Sequence, residues 1–337
     1  MDWPGAFCDC PACRALSERE GTPGAPLFDY LVALGPQVKE RYPEARISTL
    51  AYRKEQTEIP PRTLAFPDNV IIIFAPIDDN FAAPMEHPSN AGTLAHLEVW
   101  PKITSHLWVW YYPNTYGPAL PAGNLQRLAA DFRQFKKVGV EGYYIEQDAP
   151  GVYDSRRLAD LQTWLITRLM WNPDEDLDDL ITDFTEHHYG PAAPLVRQYI
   201  AALEAATRAM QGRMSWNASA GQHTFLTPEF LLKCQQLLQR AQDKVADDEG
   251  LLLRVKQARM SLDLATILLW NSLATVEACP FTQQEVLTRY RDTYRQTVEA
   301  QVLPDRREGL LSALTDSLKW HAWVTLLKPL PAPLDAI

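Results

Sequence analysis

An apolar segment ends on acidic and polar residues in GVEGYYIEQD, which covers residues 139–148. The segment is typical of a buried strand until it reaches Glu146, Gln147 and Asp148. Two tyrosines and an isoleucine directly precede Glu146, so its carboxylate is expected at a partly desolvated rim, where proton transfer is favoured. Glu146 is therefore the first candidate for a general acid or base. The alternative is that these polar residues only mark the point where an ordinary strand ends at the protein surface.

A second acidic pair, Asp78 and Asp79, follows the apolar run NVIIIFAP. Acid–base catalysis often pairs one protonated carboxyl group with one ionised carboxyl group. Asp78 or Asp79 is the expected partner of Glu146, and Asp148 is a further candidate for that role. The alternative is that residues 78–80 form an acidic turn without a chemical role.

Aromatic residues accompany these carboxylates in HLWVWYYPNTY, residues 106–116. Aromatic faces stack on the apolar faces of ligands, so the residues at the end of this run are candidates for substrate binding, whereas Trp108 is expected to pack in the core. The expected substrate-binding residues are Tyr52, Arg53, Trp110, Tyr111, Tyr112, Asn114, Tyr116, Gln147 and Asp148.

Three cysteines, Cys8, Cys10 and Cys13, form a C-x-C-x-x-C cluster. They are weak candidates for metal ligands, because a closed zinc site needs a fourth ligand and no second C-x-x-C or spaced histidine pair lies nearby. A disulfide or packed thiols are the alternatives, and no metal site is predicted. The chain has no H-E-x-x-H, Walker A, G-x-G-x-x-G or G-x-S-x-G motif, so no cofactor is expected.

Four short runs predict the strands that position these residues. They lie near 46–52, 69–75, 106–112 and 140–146, and each ends in polar or aromatic residues. Helical spacing predicts helices near 26–42, 124–138 and 154–171, with Asn124 and Ser155 as caps. Strands separated by helices favour parallel pairing, and the carboxyl ends of parallel strands form the usual ligand-binding edge. The connection between the second and third strands is expected to be irregular.

Strand patterns stop near Asp174, and the rest of the chain is helical in its spacing. One apolar face is marked by Leu231, Cys234, Leu238, Ala241 and Val245, and another by Val255, Leu262, Ala265 and Leu269. These patterns predict an α/β domain over residues 1–215 and an α-helical domain over residues 216–337.

Composition narrows the classes of partner. The 337 residues carry a net charge of −10, with a pI near 5.2, and no basic stripe is interleaved with aromatic residues. A nucleic-acid partner and a membrane span are therefore not expected. The first residues lack the pattern of a secretory signal, and the location of the protein stays open.

Several segments together resemble a family. They are FCDCPACRAL, TLAY followed by IPPR, NVIII, LEVWPKI, LWVWYYPNTY, GVEGYYIEQ and LITRLMWNPDEDLDDLITDFTEHHYGPAAP. In this order they are similar to the bacterial DUF4838 family over most of residues 2–205. The resemblance implies a TIM-type (β/α) barrel related to α-glucuronidases and β-hexosaminidase-like glycosidases.

The resemblance also implies two departures from the family. The cysteine segment lies after the fourth barrel strand in such proteins, so this chain would carry only about strands five to eight, and a longer parent protein could be secreted or periplasmic. Asp2 falls where the family usually has an acidic residue. Tyr111 stands where the family commonly has an aspartate, and the loss of a carboxylate there weakens the case for activity.

Three hypotheses follow from the sequence. The first is a glycoside hydrolase-like protein that acts on an oligosaccharide or glycoside, as a truncated form or part of a longer product. The second is a non-catalytic carbohydrate-binding module, and the third is an inactive fragment whose open sheet edges would pair or aggregate.

Overall fold

A computed structural model of the chain describes residues 7–116, 119–146, 158–274 and 279–297. The strands are β1 (Ile47–Tyr52), β2 (Val70–Ala75), β3 (His106–Tyr111) and β4 (Gly142–Ile145). The helices are α1 (Pro11–Glu20), α2 (Ala25–Arg41), α3 (Ala91–Val99), α4 (Leu125–Val138), α5 (Ala159–Trp171), α6 (Leu177–Tyr189), α7 (Ala193–Ala209), α8 (Pro228–Asp243), α9 (Glu249–Leu268), α10 (Trp270–Leu273) and α11 (Gln283–Thr297).

The chain divides into two compact units. Unit 1 comprises Met1–Pro113 and Ala130–Gln147, and unit 2 comprises Asn114–Ala129 and Asp148–Ile337. The predicted domain boundary at residue 215 falls inside unit 2, between α7 and α8, and it stays a prediction.

Unit 1 contains a four-stranded parallel sheet in the order β1-β2-β3-β4. All four predicted strands are confirmed, as are their parallel direction and their order. The register pairs Leu50 with Ile73, Ile73 with Trp108 and Trp108 with Gly142. Residues paired in this way share one face of the sheet, because side chains alternate along each strand.

The two faces of this sheet differ in exposure. On β3, Leu107, Val109 and Tyr111 are buried, whereas His106, Trp108 and Trp110 are half-buried. On β4, Tyr144 belongs to the same face as Trp110 and is 53% exposed. A parallel sheet normally has both faces covered. Here the face that carries Trp108, Trp110 and Tyr144, named the open face below, is only partly covered within the part of unit 1 that the structure describes.

Aromatic clusters fill the opposite, buried side of unit 1. Tyr111, Phe132, Phe135 and Tyr143 form one cluster, with ring centroids 5.3–6.1 Å apart. Phe28, Phe66 and Trp100 form another, with centroids 5.6–6.0 Å apart. Edge-on and tilted ring pairs of this kind add to the stabilisation from buried apolar area. Aromatic packing on this side therefore stabilises the sheet.

Two elements of unit 1 differ from the sequence prediction. The connection between β2 and β3 was expected to be irregular, which is wrong, because it contains α3. This helix, AGTLAHLEV, buries only Thr93 and Leu97, which lie four residues apart. One such pair is too short a periodic pattern to indicate a helix in the sequence. Helix α1 was not predicted either, and Cys13 lies in its first turn.

Unit 2 is helical in the residues described, and helices follow Asp174 where the sequence spacing predicted them. Leu231, Cys234, Leu238 and Ala241 are buried on α8, and Val255, Leu262 and Ala265 on α9. Asp176, Thr227 and Asp248 cap α6, α8 and α9 by accepting backbone N–H groups. The predicted cap Ser155 lies outside the described residues. No helix in the described ranges is both long enough and apolar enough to cross a membrane.

Candidate functional site

Glu146 lies directly after β4, at the carboxyl edge of the sheet. Its backbone N–H donates to the carbonyl of Tyr111 at 2.9 Å, which extends the pairing of β3 and β4 by one residue. Its side chain is half-buried, and Oε2 accepts a hydrogen bond from the indole Nε1 of Trp110 at 2.6 Å. Alternation from Tyr144 places Glu146 on the open face.

Two indole rings cover the open face beside Glu146. The ring of Trp110 lies 3.9 Å from that of Tyr144, centroid to centroid, at an angle of 30°. The ring of Trp108 lies over Gly142, where an added Cβ would come within 2.7 Å of it. Glycine at position 142 therefore allows an indole ring to lie flat against the backbone of β4.

A groove of about 380 Å³ lies on the open face at β1, β2 and β3. Its lining includes Phe7, Leu50, Tyr52, Ile73 and Trp110. Two of the predicted substrate-binding residues, Tyr52 and Trp110, thus share one groove, and Trp110 links that groove to Glu146. Apolar and aromatic walls with a few polar groups are typical of small-molecule sites.

Arg53 and Asp78 lie together at the carboxyl ends of β1 and β2. Arg53 Nη1 is 3.9 Å from Asp78 Oδ1, and the backbone N–H of Lys54 donates to Asp78 Oδ2 at 3.3 Å. Arg53 has a φ of 53°, which is uncommon for a residue with a Cβ, and its guanidinium lies 5.0 Å from the centroid of the Tyr52 ring. This strained residue begins a one-turn π-helix, Arg53–Thr57. Such features often occur at functional sites.

Asp79 is 8% exposed, and it is the fourth residue of the loop from β2 to α3. Asn90 organises that loop, because its Oδ1 accepts from the N–H of Asn80 at 2.7 Å and its Nδ2 donates to the carbonyls of Ala83 and Pro84. Side-chain hydrogen bonds of Asn90 therefore hold the loop that carries both aspartates.

Tyr111 occupies the buried face of β3, opposite Trp110. It is 2% exposed, and its hydroxyl donates to Asp131 Oδ2 at 2.6 Å. Asp131 Oδ1 accepts from the backbone N–H of Met85 at 2.7 Å. This geometry fits a structural hydrogen bond, and we leave Tyr111 out of the site proposed below. Tyr112, the next residue, is 6% exposed.

Asn114 and Tyr116 belong to unit 2. Asn114 donates to Gln162 Oε1 and accepts from Asn124 Nδ2, both at 3.0 Å, and Gln162 Nε2 donates to Asn124 Oδ1 at 2.9 Å. These three amides form a closed ring of hydrogen bonds. Tyr116 packs edge-on against Trp216 at 5.9 Å. Gln147, Asp148 and Asp2 lie outside the described residues.

Asp131 was missed by the sequence analysis, although a signal for it exists. It lies three residues after Leu128 and four before Phe135, which are both fully buried, so helical spacing places it on the inner face of α4. A carboxylate at such a position requires donors, and Tyr111 and Met85 supply them.

The cysteine cluster is exposed. The sulfur atoms of Cys8, Cys10 and Cys13 all lie within 4.8 Å of one another, and none of the three is buried. The backbone N–H of Cys13, followed by the neighbouring thiols, lowers the pKa of Cys10 to about 7. The thiols of Cys10 and Cys8 raise the pKa of Cys13 to about 11. The cluster therefore favours one thiolate at neutral pH.

Comparison with known proteins gave one family. The family model described as "Domain of unknown function (DUF4838)" matches residues 2–201, which is more than half of the 337 residues. No curated protein and no solved structure gave a match. The resemblance seen in the sequence is thus confirmed at the level of the family: the chain belongs to the DUF4838 family.

Proposed function

We propose that the chain is a carbohydrate-active, glycoside hydrolase-like protein whose site lies at the carboxyl edge of the parallel sheet. The observation that carries this proposal is the hydrogen bond that Glu146 accepts from Trp110, because Trp110 also lines the groove with aromatic walls. Catalytic residues of parallel β/α folds typically occupy this edge.

The proposed architecture is one half of a TIM-type barrel. Four parallel strands in chain order support it, with α3 between β2 and β3 and α4 between β3 and β4. In a barrel, the open face would point inward and the buried face would carry the helices, which agrees with the alternation of buried and half-buried residues on β3. Trp108 and Trp110 would then fill the interior, and Glu146 would lie at its rim.

Different surroundings suggest different roles for the carboxyl groups. A donor such as the Trp110 N–H favours the ionised form of Glu146, which suits a nucleophile or general base. Asp78 is paired with Arg53, whereas Asp79 is nearly buried. Either aspartate is a candidate for the general acid.

The strand order bounds the separation of these groups. Glu146 follows β4 and the aspartates follow β2, with β3 between them. Neighbouring strands lie ~4.8 Å apart, so the two strand ends are roughly 10 Å apart. A pair of carboxyl groups about 6.5–9.5 Å apart is typical of inverting enzymes, and one about 5–5.5 Å apart is typical of retaining enzymes. The distance between the strand ends is nearer to the inverting range than to the retaining one.

Aromatic rings on the open face would bind the sugar. Trp110 and Tyr52 line the groove, and Tyr144 extends the aromatic surface beside Glu146. A pyranose stacked on these rings would be oriented by its apolar face, while the carboxylates address its hydroxyl and glycosidic oxygens.

Replacement of Glu146 by Gln tests this proposal. The purified chain is incubated with a panel of aryl glycosides, including uronic-acid and N-acetylamino sugars, and release of the aryl group is followed. We expect Glu146→Gln to lower turnover at least ~10²-fold, the lower end for a general acid-base group. Glu141→Gln is the matched control, because Glu141 precedes β4 at the opposite edge of the sheet and contacts His106. Equal turnover of Glu146→Gln and wild type would refute a catalytic role.

A non-catalytic carbohydrate-binding module is the second candidate. It is favoured by Tyr111, which has a buried structural contact at the position where the resemblance to the family implies an aspartate. Titration with the same glycosides, followed by tryptophan fluorescence, separates the two functions. Saturable binding without turnover, lost in Trp110→Ala, would support the binding module. Neither binding nor turnover across the panel would contradict both.

A further inference from the structure

The cysteine cluster in unit 1 has the geometry of a metal site. Cys10 has an extended backbone and precedes α1, and the helix begins at Pro11. The chain therefore turns at Cys10, and Cys13 in the first helical turn comes back towards it. The result is the convergence of three sulfur atoms within 4.8 Å of one another.

The size of this cluster fits a thiophilic ion. Zinc–sulfur bonds are ~2.3 Å long, so two sulfurs of a tetrahedral zinc site are about 3.8 Å apart. The observed upper limit of 4.8 Å requires a contraction of roughly 1 Å at most. Side-chain rotation within an exposed segment can supply this movement without a change in the fold.

Exposure argues against packed thiols. Cys8 and Cys10 are exposed and Cys13 is intermediate, in contrast to Cys234, which lies fully buried among the apolar residues of α8. A disulfide would pair two of the clustered sulfurs and leave the third unused. One ion uses all three.

We propose that Cys8, Cys10 and Cys13 bind one zinc ion as thiolates. Within the described residues no further histidine, cysteine or carboxylate joins the cluster, so the fourth position would be open to water or to an added ligand. Three thiolates and Zn²⁺ carry one net negative charge. The amino-terminal end of α1 lies at this point and favours that charge.

The ion would also fix a wall of the groove. Phe7 directly precedes Cys8 and lines the groove beside Tyr52 and Trp110. Coordination of Cys8 would order the backbone next to Phe7, and thereby couple metal binding to the shape of the groove. The metal site itself does not depend on the proposed glycosidase activity.

Metal binding by the purified chain under reducing conditions tests the proposal. We expect one zinc per chain by elemental analysis, and a thiolate-to-cobalt charge-transfer absorption when Co²⁺ replaces zinc. Cys8→Ser, Cys10→Ser and Cys13→Ser should each weaken binding by more than the ~10-fold that even outer-shell substitutions typically cost. Cys279→Ser is the matched control, because Cys279 is intermediate in exposure and outside the cluster. It should bind as wild type does.

Circular dichroism of each variant separates metal loss from misfolding. Folded serine variants that lose the ion, together with a wild-type rise in tryptophan fluorescence anisotropy on zinc addition, would support the site. A reduced wild-type chain that binds no zinc, or a cobalt spectrum without thiolate absorption, would overturn it. A Cys10–Cys13 disulfide that resists mild reductant, with no metal bound, would overturn it too.

Discussion

Trp110 and Glu146 are joined across the β3–β4 pair by an indole N–H that donates to a carboxylate at 2.6 Å. The contact involves an ionisable group that is only half-buried, so water can partly replace it. Its strength is therefore expected to be modest, although it fixes the orientation of the carboxylate.

A double-mutant cycle with Trp110→Phe and Glu146→Ala measures this contact. We expect a coupling of about 1–2 kcal/mol in the free energy of unfolding, within the range for directly contacting residues. The control cycle pairs Trp110→Phe with Glu141→Ala. Glu141 lies opposite Leu107, three residues or roughly 10 Å along β3 from Trp110, and those effects should add within ~0.5 kcal/mol. Equal coupling in both cycles would argue against a specific Trp110–Glu146 bond.

Tyr111 and Asp131 are expected to be coupled more strongly, because both are buried. Tyr111→Phe removes a 2.6 Å donor and leaves Asp131 with one fewer partner, which should cost about 2–3 kcal/mol of stability. The double variant Tyr111→Phe, Asp131→Asn should lose less stability than the sum of the losses in the two single variants. Urea denaturation measures all four forms. A loss below ~0.5 kcal/mol in Tyr111→Phe would show that the hydroxyl is not required.

These two pairs show what the sequence could predict. The strands that carry Trp110 and Glu146 were predicted from short β-branched and aromatic runs, and their parallel order was inferred from the alternation of such runs with helical patterns. Local spacing does not give the partner of a side chain. Tyr111 was grouped with Trp110 as a possible sugar contact, yet alternation sends it to the opposite face, where Asp131 lies. The Arg53–Asp78 contact depends on the left-handed backbone conformation of Arg53, which no sequence pattern predicts.

Replacement of Gly142 by a larger residue is expected to destabilise the protein. In Gly142→Ala, the added Cβ would lie 2.7 Å from the ring of Trp108, so the indole must move. Overpacking of this kind typically costs about 1–3 kcal/mol, and tryptophan emission should shift to the red as Trp108 gains exposure. Gly92→Ala is the control, since its nearest neighbour would be Lys54 Nζ at 3.9 Å. Alanine in α3 should be neutral or stabilising by up to ~1 kcal/mol. Equal stability of the two variants would contradict the contact of Trp108 with Gly142.

Glu20 should make unit 1 less stable at acid pH, where its carboxylate takes up a proton. Its carboxylate, at the end of α1, is fully buried and accepts from the backbone N–H of Thr63 at 2.8 Å, the Thr63 hydroxyl at 2.6 Å and Arg19 Nε at 2.8 Å. Burial alone would raise the pKa of Glu20, but the hydrogen bonds from Thr63 and the Arg19 guanidinium outweigh it and lower the pKa to about 2. A carboxyl group with a lowered folded-state pKa stabilises the fold above its ordinary pKa, and this stabilisation is lost as pH falls towards the folded value.

Glu20→Gln should therefore cost about 1–3 kcal/mol at pH 7, where the charged form of the wild type keeps all its donors. The difference between wild type and variant should shrink as pH falls from about 4.5 towards 2, because the wild type alone must take up a proton. Urea denaturation followed by circular dichroism at several pH values measures this difference. Glu18→Gln is the control: Glu18 lies exposed on the same helix, and its loss should leave the pH dependence of stability as it is in the wild type. A Glu20→Gln chain with the same acid sensitivity as the wild type would show that Glu20 is not the group responsible.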